Sequence, residues 1–308
     1  MRLKLLTLVL LSILIMSTPI NQAFATNDKY YYKQQYYISQ CEIDKMWKAY
    51  GYKGKGVKVA VIDTGLDNNS KDFDYTKIMR KKNFTRESSG TDNYQHGNGV
   101  ISVIGSKRGN KIGITGIMPN ATIYSIKVFD KQGNCTGITE AIETAINLDV
   151  DVINLSLGGK NYSQAQQDVV TKAVNKGIIV VASAGNDGKK TVQYPADYDG
   201  VIKVSGCTNH GKFASWSSYG NSDCMAPGEK IAIQYTCNKY GMGNGTSFSA
   251  PIVSAMAVMC KQIDPSINSK KFMTVLKKSS SNNGTKKTKS GYGCVNFYKA
   301  AKYLRSHR

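Results

Sequence analysis

A chain of 308 residues with 41% hydrophobic and 20% charged content can bury one large core or two small ones. Its formal charge of +20 suits anionic neighbours such as cell-surface polymers. The basic residues are scattered, with short clusters at Arg80–Lys82, Lys270–Lys271 and Lys286–Lys287 and no aromatic–basic stripe, which excludes a specific nucleic-acid platform.

Residues 1–25 have the pattern of a secretory leader: basic Arg2 and Lys4, an apolar run from Leu5 to Met16, and small residues at Ala23 and Ala25. The run falls short of the ~20 residues that span a bilayer, so a secreted, soluble chain is expected. Residues 26–40 make a short N-terminal segment, Tyr-rich from Tyr30 to Tyr37, and residues 41–308 make one folded domain, expected to act as a monomer. Val57 to Ile62 reads as a buried strand ending before Asp63, and Ala121 to Val128 as a second. Ile138 to Asn147 has helical spacing, with Ile138, Ala141, Ile142, Ala145 and Ile146 on one face. A third strand (Val150 to Leu155), a helix (Ala165 to Asn175) and two more strands (Ile178 to Ala182, Val201 to Gly206) follow. A last apolar helix opens at Ser247 and runs through Ile252, Val253, Ala255, Met256, Val258 and Met259.

Strands alternating with helices predict an α/β fold, a mostly parallel central sheet with helices on both faces. Functional residues of such sheets collect in the loops beyond the carboxyl ends of the strands. Asp63, Ser156 and Asn186 each follow an apolar strand-like run, which puts them on one rim. Export permits disulfides, and seven cysteines are present, an odd number that leaves at least one thiol unpaired. Their spacings match no metal-ligand pattern.

Three short stretches carry the chemistry: Asp63-Thr64-Gly65, His96-Gly97-Asn98-Gly99 and Gly245-Thr246-Ser247. A serine hydroxyl becomes a useful nucleophile beside a base, and the base needs an orienting acid. The order Asp, His, Ser differs from the two other common orders of serine hydrolases. Ser247 at a helix start faces unsatisfied N–H groups and the positive end of the dipole. Asn186, in Ala184-Gly185-Asn186-Asp187-Gly188, has an amide able to donate to a developing oxyanion. Taken singly, these would read as a turn, a structural histidine, a helix cap and a second turn.

Together the stretches resemble the subtilisin-like serine proteases, the subtilases, and the resemblance runs from about residue 33 to residue 301. It implies Asp63 as orienting acid, His96 as general base, Ser247 as nucleophile, and Asn186 with the Ser247 N–H as oxyanion hole. Losing an oxyanion donor costs ~10²–10³ in turnover, a magnitude that itself comes from a subtilisin. The resemblance also implies that Ser156, Leu157 and Gly158 pair with substrate backbone, opposite Lys131-Gln132-Gly133. Extended peptide between two such edges is strand addition. Residues 182–185, including Ala184 and Gly185, would wall the primary pocket. Asp187 at its rim and Gln193 near its base would make it polar, tolerant of polar or basic residues before the scissile bond. A structural Ca²⁺ is implied at Asp72, Asn110, Ile112 and Ile114, with Gln34 or Gln35 contributing.

The sequence departs from the family at three places. His96-Gly97-Asn98-Gly99 stands where relatives have His-Gly-Thr-His, and Phe248 follows the nucleophile where Met is common, removing an oxidisable thioether. Between the leader and the matched domain there is no room for an ordinary propeptide. The expectation is that the enzyme folds unaided, that an inhibitor or chaperone acts in trans, or that the Tyr-rich segment takes an unusual role. The expected function is a secreted serine endopeptidase acting on protein or peptide substrates through an acyl-enzyme. The alternative is a catalytically silent, subtilase-like binding or regulatory protein, whose mark would be a lost triad residue; none is lost.

Overall fold

A computed structural model describes residues 26–307; the leader expected at 1–25 lies outside the described residues. Seven parallel strands form the central sheet: β1 (Lys58–Asp63), β2 (Ile78–Asn83), β3 (Thr122–Lys127), β4 (Val152–Leu155), β5 (Ile179–Ser183), β6 (Ile202–Cys207) and β7 (Cys224–Pro227). Their spatial order is β2-β3-β1-β4-β5-β6-β7. The order reverses around β1, so the end of β1 lies at the switch point where α/β sheets open a crevice. A separate antiparallel hairpin joins β8 (Ile231–Thr236) to β9 (Lys239–Gly243).

Strand residues alternate between two cores, as a pleat requires. Val59, Val61, Val152, Ile179 and Val181 face one core. Ala60, Ile62, Ile153, Val180 and Ala182 face the other. The second core is closed by α4 (Ile138–Asn147) and α5 (Gln164–Asn175). The first is filled by α3 (Gly97–Gly105) and α6 (Thr246–Ile263), with α1 (Tyr31–Gln40), α2 (Ile43–Tyr50), α7 (Ser269–Ser279) and α8 (Phe297–Arg305) packed around them. Every residue of α3 is buried, which is why its sequence lacks a polar stripe. The expected doubly covered parallel sheet is present, with strand ends shifted by a residue or two.

Two strands escape the apolar pattern. β2 reads Ile-Met-Arg-Lys-Lys-Asn because it is an edge strand, and its basic side chains guard an open row of backbone groups. β7 is only four residues long. The Tyr-rich segment becomes α1, which buries Tyr37 and Ile38 in the first core. The expected disulfide is not formed: all seven cysteines are free thiols. Cys207 and Cys294 come nearest among the recorded contacts, with sulfurs 3.8 Å apart against the ~2.05 Å of a bond. No helix among the described residues is long and apolar enough to cross a membrane.

One charged side chain is wholly buried at the end of β3. Lys127 Nζ donates to the carbonyls of Thr64 at 2.5 Å and Thr91 at 3.0 Å, and pairs with Glu87 at 3.1 Å. Glu87 in turn accepts from the Lys131 N–H at 2.9 Å. Lys127→Ala would leave the buried Thr64 carbonyl without its donor and remove the ion pair with Glu87. We expect it to destabilise the fold by about 3 kcal/mol, read as a lower urea midpoint at unchanged slope.

Candidate active site

Asp63 is the last residue of β1 and His96 the residue before α3. What brings them together is backbone on backbone. A Cβ at Gly97 would lie 2.5 Å from the Gly65 carbonyl oxygen, so only glycine permits the turn after Asp63 to seat against the start of α3. The Thr64 hydroxyl fastens the contact, donating to Asp92 at 2.7 Å and accepting from the Gly97 N–H at 2.7 Å. Asp92 also accepts from the N–H groups of Gln95 and Asn98, both at 2.7 Å, and so caps the helix start. Burial pushes the Asp92 carboxyl up to about 6 against these hydrogen bonds.

Within this frame Asp63 Oδ1 lies 2.8 Å from His96 Nδ1 and accepts from the Thr64 N–H at 2.7 Å. Asp63 Oδ2 is buried without a hydrogen-bond partner. Burial of the imidazole lowers its basicity, but the charge and hydrogen bond of Asp63, with help from Asp92, outweigh it. The His96 pKa therefore stands above its ordinary 6.5.

Ser247 sits in the first turn of α6. Four residues on, Pro251 has no N–H to give the Ser247 carbonyl. That carbonyl accepts instead from the Ser156 hydroxyl at 2.7 Å. Ser156 accepts from Asn154 Nδ2 at 2.9 Å, and Ser254 donates back to Asn154 Oδ1 at 2.8 Å. This buried chain ties α6 to the end of β4. The Ser247 hydroxyl itself donates to the Ser156 carbonyl at 3.3 Å.

Asn186 follows β5. Its Oδ1 accepts from the N–H and the hydroxyl of Thr246, at 2.9 and 3.0 Å. With the oxygen so engaged, Nδ2 is the atom left to donate, and a Cβ at Gly245 would sit 3.3 Å from it. Phe248 explains the altered histidine motif. Its ring centroid is 5.5 Å from that of His96, and the ring fills the space over Gly99 and Gly243, where added side chains would collide with it. Gly99 and Gly243 together leave the room that the Phe248 ring takes. Asn98 Oδ1 accepts from the Asp67 N–H at 2.9 Å.

Leu157 is buried beyond Ser156, and Gly159 pairs with Tyr194 across the gap from β4. On the other side Gly133 lies 3.4 Å, measured from an added Cβ, from the exposed ring of Tyr94. Thr64, Asp92, Asn154 and Lys127 were not singled out from sequence. A lone lysine inside the apolar run Ile126-Lys127-Val128 was the one signal available for them.

Subtilisins in general bind calcium, but the residues expected to hold it here are joined to each other. Asn110 Nδ2 donates to Asp72 Oδ1 at 2.7 Å, and the Ile114 N–H donates to Asp72 Oδ2 at 3.0 Å. Asn110 Oδ1 takes the Ile112 N–H at 3.0 Å. Gln34 is engaged by the backbone of Thr115, at 2.7 and 2.8 Å, while Gln35 is exposed. Calcium takes six to eight oxygens. Here both Asp72 oxygens take N–H donors, and a second carboxylate, Asp28, accepts from the N–H groups of Gly109 and Asn110 at 3.0 and 2.9 Å; among the described residues no group of three acidic, His or Cys side chains could hold a metal.

An acid-held histidine beside a helix-terminal serine, on the carboxyl rim of a parallel sheet, defines a serine hydrolase of α/β architecture. The chain belongs to the subtilase family, whose family model matches residues 54–295. It is 37% identical over 257 residues to subtilisin DY of Bacillus licheniformis, covering 81% of this chain and 92% of that one. To subtilisin E of Bacillus subtilis strain 168 it is 40% identical over 235 residues, covering 73% and 60%. To the minor extracellular protease Epr of the same strain it is 34% identical over 270 residues, covering 86% of this chain and only 41% of the relative. A protease structure from Pseudoalteromonas arctica PAMC 21717 shares the fold with a TM-score of 0.80 at 24% identity, covering 91% and 99%.

Proposed function

We propose that the chain is a secreted serine endopeptidase that cleaves peptide bonds through an acyl-enzyme on Ser247. The observation that carries this reading is the pairing of Asp63 with His96 at 2.8 Å beside the start of α6, with Asn186 turned by Thr246 to leave Nδ2 free. Rotation of the Ser247 hydroxyl away from the Ser156 carbonyl brings it to His96 Nε2, which takes its proton as Oγ attacks the scissile carbonyl. Asp63 holds the ring in the tautomer that leaves Nε2 free and stabilises the imidazolium formed. The tetrahedral oxyanion is received by Asn186 Nδ2 and the Ser247 N–H. His96 then protonates the leaving amine, and water, deprotonated by the same ring, releases the acyl group.

Substrate lies extended between Ser156-Leu157-Gly158 and Lys131-Gln132-Gly133, with main-chain hydrogen bonds giving affinity. Glu87 supports the second edge through its bond to the Lys131 N–H. Export is supported by the leader pattern and by the name of one relative, an extracellular protease. A monomer regulated by an inhibitor or chaperone in trans, and held near anionic surface polymers by its charge, completes the reading.

Two measurements test it. A fluorophosphonate probe should label the wild-type protein and not Ser247→Ala; equal labelling of both, or of neither, refutes the proposal. The base works as neutral imidazole, so kcat/KM for a peptide substrate should rise with pH through the raised His96 pKa. A midpoint at or below pH 6.5 would contradict the Asp63–His96 coupling.

A further inference from the structure

The basic residues are unevenly shared along the chain. From Pro265 to Arg308 there are 11 basic residues and no acidic one, whereas residues 26–264 carry 28 basic and 21 acidic residues. The last 44 residues thus hold +11 and the 239 before them only +7. In the fold this run becomes α7, the turn at 280–293 and α8, and its lysines and Arg305 are all exposed.

α7 buries Phe272, Val275 and Leu276 in the first core and turns Lys270, Met273 and Lys277 toward a cavity of about 540 Å³. Val174, Val201 and Ile202 give the cavity an apolar lining, and Lys203, Lys286 and Tyr292 complete it. The nearby acids are largely neutralised. Asp197 pairs with Lys203 at 3.0 Å and buried Asp223 with Lys286 at 2.8 Å, which leaves Asp199 as the lining acid outside an ion pair. Lys270 and Lys277 have no acidic partner among the described residues, and they stand about 10 Å apart along the helix axis.

The cavity lies at the amino ends of β6 and β7, since Ile202 and Lys203 open β6 and Asp223 precedes β7. The catalytic residues occupy the carboxyl rim of the same parallel sheet, so an occupant here leaves the cleft open. No large hydrophobic side chain among the described residues of this run is exposed, which gives a bilayer nothing to take up. The rings beside the lysines are engaged: Lys286 lies 5.8 Å from the centroid of Tyr292 and Lys289 5.3 Å from that of Tyr219. Neither ring is a free platform for stacked bases.

We propose that this face is a docking site for a base-free phosphodiester polymer of the cell surface, a polyol phosphate. Lys270 and Lys277 meet its phosphates as point charges, and its carbon chain lies over the apolar lining. The inference deepens the charge-held part of the reading above and is independent of the serine chemistry.

The test measures binding of poly(glycerol phosphate) by calorimetry at about 50 and about 200 mM salt. The wild type should bind, and more weakly at the higher salt. Lys270→Gln/Lys277→Gln should lose at least about tenfold in affinity, from roughly fivefold per lysine. Lys55→Gln/Lys239→Gln removes equal charge elsewhere and should lose less than about threefold. Should the first double variant fold poorly, Lys277→Glu reads the same face. kcat/KM for a small peptide p-nitroanilide should be unchanged in every variant, and a fall with Lys270→Gln/Lys277→Gln overturns the separation from the cleft. Equal losses in the two double variants overturn the site while leaving a charge-held enzyme, and tighter wild-type binding to oligo(dT) or to phosphatidylserine vesicles overturns the polymer. No wild-type binding refutes the site and the charge-held reading together, whereas absence of fluorophosphonate labelling refutes only the endopeptidase reading.

Discussion

The approach of Gly65 to Gly97 is the contact on which the site depends. Asp63 and His96 belong to different elements, and neither has a side-chain device that would fix the other at hydrogen-bond distance. Gly97 lets the helix start meet the strand-end turn with no side chain between them, and Gly65 lets that turn seat against the backbone of Gly90 and Thr91. Thr64 and Asp92 then hold the meeting from one side, and Lys127 grips the Thr64 carbonyl from the other. Because α3 is buried along its whole length, neither partner can drift without disturbing the first core. The 2.8 Å acid–imidazole bond is a consequence of this backbone geometry.

The nucleophile is placed by a different device. Pro251 denies the Ser247 carbonyl its helical donor, and the Ser156 hydroxyl takes the position. The same serine belongs to the run proposed to bind substrate backbone, so nucleophile and substrate edge share one buried hydrogen-bond chain reaching Asn154 and Ser254. Such a network fixes a geometry because every member is satisfied. Phe248 is coupled similarly to Gly99 and Gly243 by shape alone. A reversal at position 248 or 99 without the other would leave a void or a collision beside His96.

The parallel sheet was legible because β1, β3, β4, β5 and β6 are buried on both faces and therefore read as apolar runs between amphipathic helices. β2 was not, since an edge strand carries charge where a central one carries Val or Ile. The four central residues of the site were legible from their Gly-rich settings. Their supports were not: Thr64, Asp92 and Asn154 look like ordinary turn or strand residues until tertiary contacts assign their hydrogen bonds. The calcium reading turns on a related detail. Asp72, Asn110 and Ile114 do meet, but a sequence does not say whether Asn110 turns its oxygen or its nitrogen toward the carboxylate.

The strand that ends in Asp63 lies early in the chain, whereas α6, which carries Ser247 in its first turn, lies late in it. Its residues are buried almost throughout, so it cannot rest on the surface and wait. Forming the site therefore means closing a loop of about 180 residues, a slow kind of step entropically. A chain still emerging from synthesis has its acid and base long before it has a nucleophile. It cannot cut itself or its neighbours until nearly all of it has folded.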